Sequence, residues 1–452
     1  MHAPTPTSFL LTGGTVLPME GRRVAFDPGA VLVLDGKIAA VDTPEALSHH
    51  PAVTGGVTVV DTTGHAVIPG LHNAHLHSGL LRGTAENLEV WEWLQVHVDP
   101  AHRALTAPIA EAASWMAYTE GLRFGTTSVL DMWRFMEGSA RAADVLGIRA
   151  TMAPYMADAY DWFESVESNR RLLEAHHSSA EGRVRAWIGL EHLFYCSEDM
   201  FRAAAAMAEE FDTRIHVHCS ESLSEVGESK QRYGRRPVAE MAHRGVLDEG
   251  RAVIAHGVWL NDDEVEHLAR TNTPVSHCPC SNMKLSSGAA RIGYYREHGL
   301  TVGLGSDGEK ENNTLDLFEE MKVAALLQKV TTMDPTTGNP WDMLDMATLA
   351  GARLLGLDHE TGSLEVGKDA DIVTVDLRGV HFVPVMHGKH FNVPTHLVFT
   401  ARGHDVADVW VRGRHLVAAG TVLTVDAGEV AQRAQAAAEE LFARRDALPV
   451  RR

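Results

Sequence analysis

The chain is poor in cysteine: Cys196, Cys219, Cys278 and Cys280 are the only four in 452 residues. They are too few and too scattered for a disulfide framework. Cys278-Pro-Cys280 lacks the C-x-x-C spacing of redox motifs and structural zinc sites, so all four are expected as reduced thiols in a reducing compartment. Long apolar runs are also missing; none approaches the roughly 20 residues that a membrane span needs. The start, MHAPTPTSFLLTGG, has no basic stretch and only a short apolar one, so no secretory leader is expected and the chain reads as cytoplasmic. Positive charge is in deficit: Lys+Arg 40 against Asp+Glu 60 gives −20. That balance argues against nucleic acid as a partner, because phosphate-backbone affinity comes mainly from Lys and Arg. No short internal repeat is present. Hydrophobic residues at 45% and charged residues at 22% make a globular composition.

What is present falls into two textures. Residues 8–61 read as short strands with Gly and Asp turns, and the pattern returns in "GSLEVGKDADIVTVDL" (362–377) and "VADVWVRGRHLVAAGTVLTV" (406–425). The middle alternates short apolar runs with Ala-rich amphipathic stretches, the rhythm of a parallel sheet covered by helices. About eight such units in roughly 290 residues suit a (β/α)8 barrel. The expected organisation is α/β: a barrel over 67–360, a small β-sandwich built from 1–66 and 361–425, and a helical tail over 426–452.

Several barrel runs end in residues that bind metals or move protons. In a barrel these C-terminal ends share one face, where active sites lie. The first run ends in "HNAHLH" (72–77). Side chains alternate along a strand, so His75 and His77 point into the barrel together, while His72 faces the surrounding helices. The fifth run, "RIHVHCSES", offers His216 and His218 with the same parity. His218 lies nearer the end and is the expected ligand; His216 sits a layer deeper, as a hydrogen-bonded core histidine. Glu221, three residues on, is placed to shuttle protons. The sixth run ends in His256 and the eighth in Asp307. His75, His77, His218 and Asp307 together form a mixed nitrogen and oxygen site with room for water.

With those residues in view, the chain resembles the amidohydrolase superfamily, in its cytosine deaminase/chlorohydrolase branch. It is most similar to the 5-methylthioadenosine/S-adenosylhomocysteine deaminases. The resemblance is carried by "PGLHNAHLHSGLLRGTAENLEVWEWL" (69–94), "IHVHCSESLSEVGESKQRYGRRPVAEM" (215–241), "VIAHGVWLNDDE" (253–264), "VSHCPCSNMKLSSGAARI" (275–292) and "VGLGSDGEKENNTLDLFEEMKVAALLQK" (302–329). It implies His75, His77, His218 and Asp307 as metal ligands, with Glu221, His256 and Asp307 as the catalytic set. It implies one divalent cation, Zn²⁺ first and Fe²⁺ or Mn²⁺ as alternatives, because the fourth run "VRAWIGLEHLFYC" has no lysine to bridge a second. The activity implied is hydrolytic loss of ammonia from an aminated N-heterocycle, a small-molecule substrate, by a homo-oligomer (dimer or tetramer).

His192 matches a family histidine that contacts substrate. Glu191 stands where the resembling deaminases have proline, and offers either a substrate-facing hydrogen bond or a bridge to a second metal. Trp91 and Arg82 lie in the loop that rims the site. Arg291 replaces a usual proline, and Glu309 and Lys310 replace small residues. Trp91, Arg82, Glu191, His192, Arg291 and Glu309 are therefore the expected substrate-side residues. The departures leave other chemistries open: loss of chloride or an alkylamine from a triazine-like ring, deamination of guanine or a pterin, or a non-catalytic metal-binding protein on the same fold.

Overall fold

In the computed structural model, which describes residues 7–247 and 250–449, the alternating middle of the chain closes into a (β/α)8 barrel. Its strands are Leu71–Leu76, Thr126–Trp133, Arg149–Pro154, Val184–Ala186 continued by Ile188–His192, Ile215–Cys219, Ala252–His256, Val275–His277 and Val302–Leu304. All neighbouring pairs are parallel. Nearly every strand residue is buried, as it must be in a sheet lined by side chains inside and helices outside. The first and last strands meet where Asp307 N–H donates to His75 O at 3.0 Å.

Ala-rich sequence makes the covering helices. Ala107–Arg123, Glu137–Leu146 and Glu198–Glu210 bury alanines against the strands, which lets helix and sheet approach closely. Ser197 and Asn261 cap Glu198–Glu210 and Asp262–Arg270 through their side chains, satisfying first-turn N–H groups.

The two β-rich segments share one nine-stranded sheet. Its seam is the antiparallel pairing of Ile372–Asp376 with His65–Pro69. At the base of the barrel, Arg149 locks the returning chain to the third strand. Its guanidinium meets Asp371 Oδ2 at 2.7 Å, Asp369 Oδ2 at 2.6 Å and Glu360 Oε2 at 3.1 Å. The helix Ala427–Asp446 packs on the barrel wall, where Arg444 Nε donates to Ala104 O. No described helix is long and apolar enough to cross a membrane. Residues 1–6, at the start where no leader is expected, and the last residues of the tail, 450–452, lie outside the described residues.

Candidate metal and catalytic site

At the C-terminal ends of the strands, opposite Arg149, three imidazoles converge. Their hydrogen bonds fix which nitrogen of each is free. Val253 O can only accept, so His216 donates to it from Nδ1 at 3.1 Å and keeps a lone pair on Nε2. His75 then donates from Nδ1 to that Nε2 at 2.7 Å. His77 Nδ1 donates to Met132 O at 2.7 Å, and His218 Nδ1 donates to Glu191 O at 2.5 Å. Burial holds these imidazoles in the neutral form, lowering the pKa of each.

All three ligand candidates therefore turn an unprotonated Nε2 to one point. His77 Nε2 and His218 Nε2 are 3.1 Å apart, and His75 Nε2 has no hydrogen-bond partner. Asp307 Oδ1 lies 3.4 Å from His75 Nε2 and 3.2 Å from His77 Nε2. Lone pairs facing one another at such distances, away from water, repel unless a cation stands between them. The donor set fits a divalent metal, and each imidazole is oriented by a carbonyl or a second imidazole behind it.

Strand ends aim the remaining groups. Ser220, His256 and Asp307 all have left-handed backbone, with φ of 55°, 71° and 59°. Such strain in residues with side chains concentrates at functional sites. His256 Nδ1 bonds Asn282 Oδ1 at 3.0 Å, and its Nε2 stands 4.0 Å from Asp307 Oδ2 and 3.9 Å from Glu221 Oε2. Asp307 is braced by Ser281 Oγ at 2.7 Å and Gly308 N at 3.0 Å. Glu221 accepts a bond from Ser287 Oγ on Oε1 at 2.9 Å, and burial raises its pKa, favouring the protonated acid.

Of the expected substrate-side residues, Trp91, Glu191 and His192 line the cavity above this point, with Trp93, Leu94, Tyr155, Leu285 and Glu311. A bulge in the fourth strand, between Leu190 and His192, brings two consecutive residues to the cavity where regular alternation would bring one. Glu191 keeps one buried oxygen without a partner, and burial pushes its pKa up to about 8. His192 uses both nitrogens internally. Nδ1 accepts from Phe194 N–H at 3.2 Å, and Nε2 faces Glu225 Oε1 at 3.3 Å. Glu225 in turn accepts from Ser220 N and Glu221 N, so this pair sets the turn that carries Glu221.

Three expectations are corrected: Arg82, Arg291 and Glu309 do not reach the cavity. Arg82 pairs with Glu120 at 2.5 Å on the covering helix. Arg291 pairs with Asp262 at 2.8 Å and turns to solvent. Glu309 is buried, but accepts from Leu81 N at 2.6 Å and so clamps the loop after the first strand. Glu311, two residues on, takes the place expected of it. Tyr155, Glu225, Asn282 and Glu311 escaped the sequence reading. Glu225, Asn282 and Glu311 lie inside the quoted stretches 215–241, 275–292 and 302–329, but strand periodicity says nothing about residues beyond the strand ends. His72 is buried against Gly351 of the helix Leu349–Leu355, away from the cavity.

Comparison with known proteins places the chain in a family. Residues 66–416 match the amidohydrolase family. The 5'-deoxyadenosine deaminase of Methanothermobacter thermautotrophicus is 39% identical over 439 residues, covering 96% of this chain and 99% of that one. The 5-methylthioadenosine/S-adenosylhomocysteine deaminase of Syntrophobacter fumaroxidans is 37% identical, covering 94% and 96%. Among solved structures, an adenosine deaminase from Xanthomonas campestris with bound zinc superposes with a TM-score of 0.89 at 30% identity, covering 98% and 100%.

Proposed function

Because the chain belongs to the amidohydrolase family, we propose that it hydrolyses the exocyclic amino group from the purine ring of an adenosine-type nucleoside, releasing ammonia. The observation that carries this reading is the convergence of three Nε2 lone pairs and the Asp307 carboxylate beneath Glu221 and His256. Among the described residues, no lysine or arginine lines the cavity, which suits an uncharged base and sugar better than a phosphorylated one.

His75, His77 and His218 through Nε2, and Asp307 through Oδ1, are the residues that would hold the divalent cation. Zinc is the first assignment, supported by the imidazole-rich donor set and the zinc-containing relative. The cation, when bound, supplies the Lewis acidity that brings the pKa of water to about 7. The chain supplies the rest. Asp307 and His256 orient the attacking water, and Asp307 Oδ2 accepts its proton. Glu221, protonated, delivers a proton from Oε2 to the ring nitrogen beside the attacked carbon, while Ser287 holds Oε1. The tetrahedral carbon then expels ammonia as the proton of its new hydroxyl passes to the leaving amine, and the proton held by Asp307 returns Glu221 to its acid form. His192 and Glu225 hold the turn that presents Glu221, and Trp91 offers an aromatic edge to the base.

The test is ammonia release from a panel of adenosine, 5'-deoxyadenosine, 5'-methylthioadenosine, guanine, a pterin and aminotriazines, with chloride and alkylamine release followed in parallel. Turnover of the adenosine-type members above the others is expected. Chloride or alkylamine loss from triazines, with no ammonia from any nucleoside, overturns the assignment.

A further inference from the structure

Beyond Asp307 the chain turns over the cavity in the short helix Glu309–Asn312 and buries three charged side chains in succession. Glu309 clamps Leu81. Lys310 Nζ lies 2.8 Å from Glu311 Oε1. Of the three, Glu311 lines the cavity, and its Oε2 is buried with no hydrogen-bond partner. One of its oxygens lies within 4.8 Å of both a ring nitrogen of His77 and a carboxylate oxygen of Asp307. Gly308 makes the room: a Cβ there would collide with Glu311 Oε2 and crowd His77 Cβ at 3.0 Å. A buried ammonium, a missing side chain and an unpartnered carboxylate oxygen thus meet beside the reacting centre. An acceptor left unpaired in a folded protein is costly, and a ligand donor would satisfy it.

Glu221 and Glu311 are matched. Each has one oxygen tethered, by Ser287 and by Lys310 respectively, and one oxygen free of side-chain hydrogen bonds. Glu221 stands beside His256 of the sixth strand, and Glu311 beside His77 and Asp307 of the first and eighth. An amidine carbon carries two nitrogens in one plane, a ring nitrogen that accepts a proton and an amine with two N–H bonds. With Glu221 at the ring nitrogen, the amine turns to the other side of the centre.

We propose that Glu311 binds the departing amine: its Oε2 accepts an N–H of the exocyclic amino group and holds it as the C–N bond breaks. The inference rests on the deaminase reading. In the collapse step, the electron pair of the C–N bond goes to nitrogen. The proton of the new hydroxyl goes to the same nitrogen, the carbonyl forms and neutral ammonia leaves; Glu311 ends as it began. A chloride leaving group has no hydrogen to donate and would meet the carboxylate lone pairs directly. Glu311 therefore selects for amine over halide at a centre able to expel either.

The experiment compares kcat/KM for ammonia release from 5'-deoxyadenosine with chloride release from 6-chloropurine ribonucleoside, in the zinc-loaded wild type, Glu311→Gln and Glu311→Asp. Metal content and thermal midpoint are measured on each. Glu311→Gln is expected to lower the amine-to-chloride ratio at least tenfold, because its amide N–H can face chloride. Metal should stay at one equivalent, and Glu311→Asp should recover part of the ratio with a raised KM. An unchanged ratio overturns the proposal, as does a wild type holding a second metal equivalent that Glu311→Gln loses. If Glu311→Gln fails to fold, a wild-type ratio in Glu311→Asp overturns it alone. A wild type that deaminates no nucleoside removes the deaminase reading itself, a different failure from active enzyme with an unmoved ratio.

Discussion

His216 Nε2 accepts a hydrogen bond from His75 Nδ1 at 2.7 Å, and through that bond a residue that touches no substrate decides where a metal can sit. The carbonyl of Val253 fixes the proton on His216 Nδ1, which leaves Nε2 as an acceptor. His75 must then carry its own proton on Nδ1 and present Nε2 to the centre. One buried carbonyl thereby fixes two tautomers in series.

His216→Leu should accordingly weaken metal binding by about 10- to 100-fold, the usual effect of losing an orienting partner behind a ligand. Competition with a chelator measures it. His72→Ala, also buried but turned toward the helix Leu349–Leu355, should keep wild-type affinity. Equal loss in both variants would mean that packing, not tautomer, is being read.

Glu221→Gln should retain one metal equivalent and lose at least ~10²-fold in turnover, the contribution expected of a general acid and base. Single-turnover ammonia release with parallel metal analysis separates the two properties. Near-normal turnover would remove Glu221 from proton transfer.

Arg149→Met should destabilise the fold by about 3–5 kcal/mol, because Asp369 and Asp371 would remain buried without their counter-charge. Urea unfolding of the metal-loaded protein reads this directly. The site lies at the other end of the barrel, so kcat of the folded fraction should be unchanged.

Glu320, fully buried, accepts from Asn312 Nδ2 at 2.5 Å and from Cys280 N at 3.2 Å. Burial pushes its pKa up to about 8. A carboxyl that binds its proton more tightly folded than unfolded contributes stability at low pH, which is lost as pH rises from the unfolded value toward about 8. Glu320→Gln removes that titration. The stability of Glu320→Gln relative to wild type should improve by about 2–3 kcal/mol between pH 5.5 and 7.5, whatever fixed cost the amide carries. A pH-independent difference would show that Glu320 does not titrate in this range.

The parity argument in the sequence separates His75 and His77 from His72, and the structure shows the same division. The reason is local: alternation along a strand is a property of the backbone. It weakens where the backbone is irregular. The bulge after Leu190 turns both Glu191 and His192 to the cavity, and no periodicity anticipates that. Loop residues are less legible still. Arg82, Arg291 and Glu309 are polar and lie in segments near the site, yet Glu120, Asp262 and the Leu81 amide claim them. Glu311 reaches the cavity because Gly308 leaves room for it, a steric fact between side chains that a linear pattern does not contain.

By itself the sequence determined the alternation of buried strands and Ala-rich helices, and with it a barrel whose strand ends bring histidines and an aspartate to one face. Those are consequences of backbone geometry and of burying apolar surface, and both are written in residue order. Only the tertiary structure decided which nitrogen of each histidine is free, which glutamates face the cavity and which charged residues pair elsewhere. Those outcomes depend on hydrogen-bond partners from distant segments, Val253 for His216 and Met132 for His77, and contacts of that kind exist only once the chain has closed on itself.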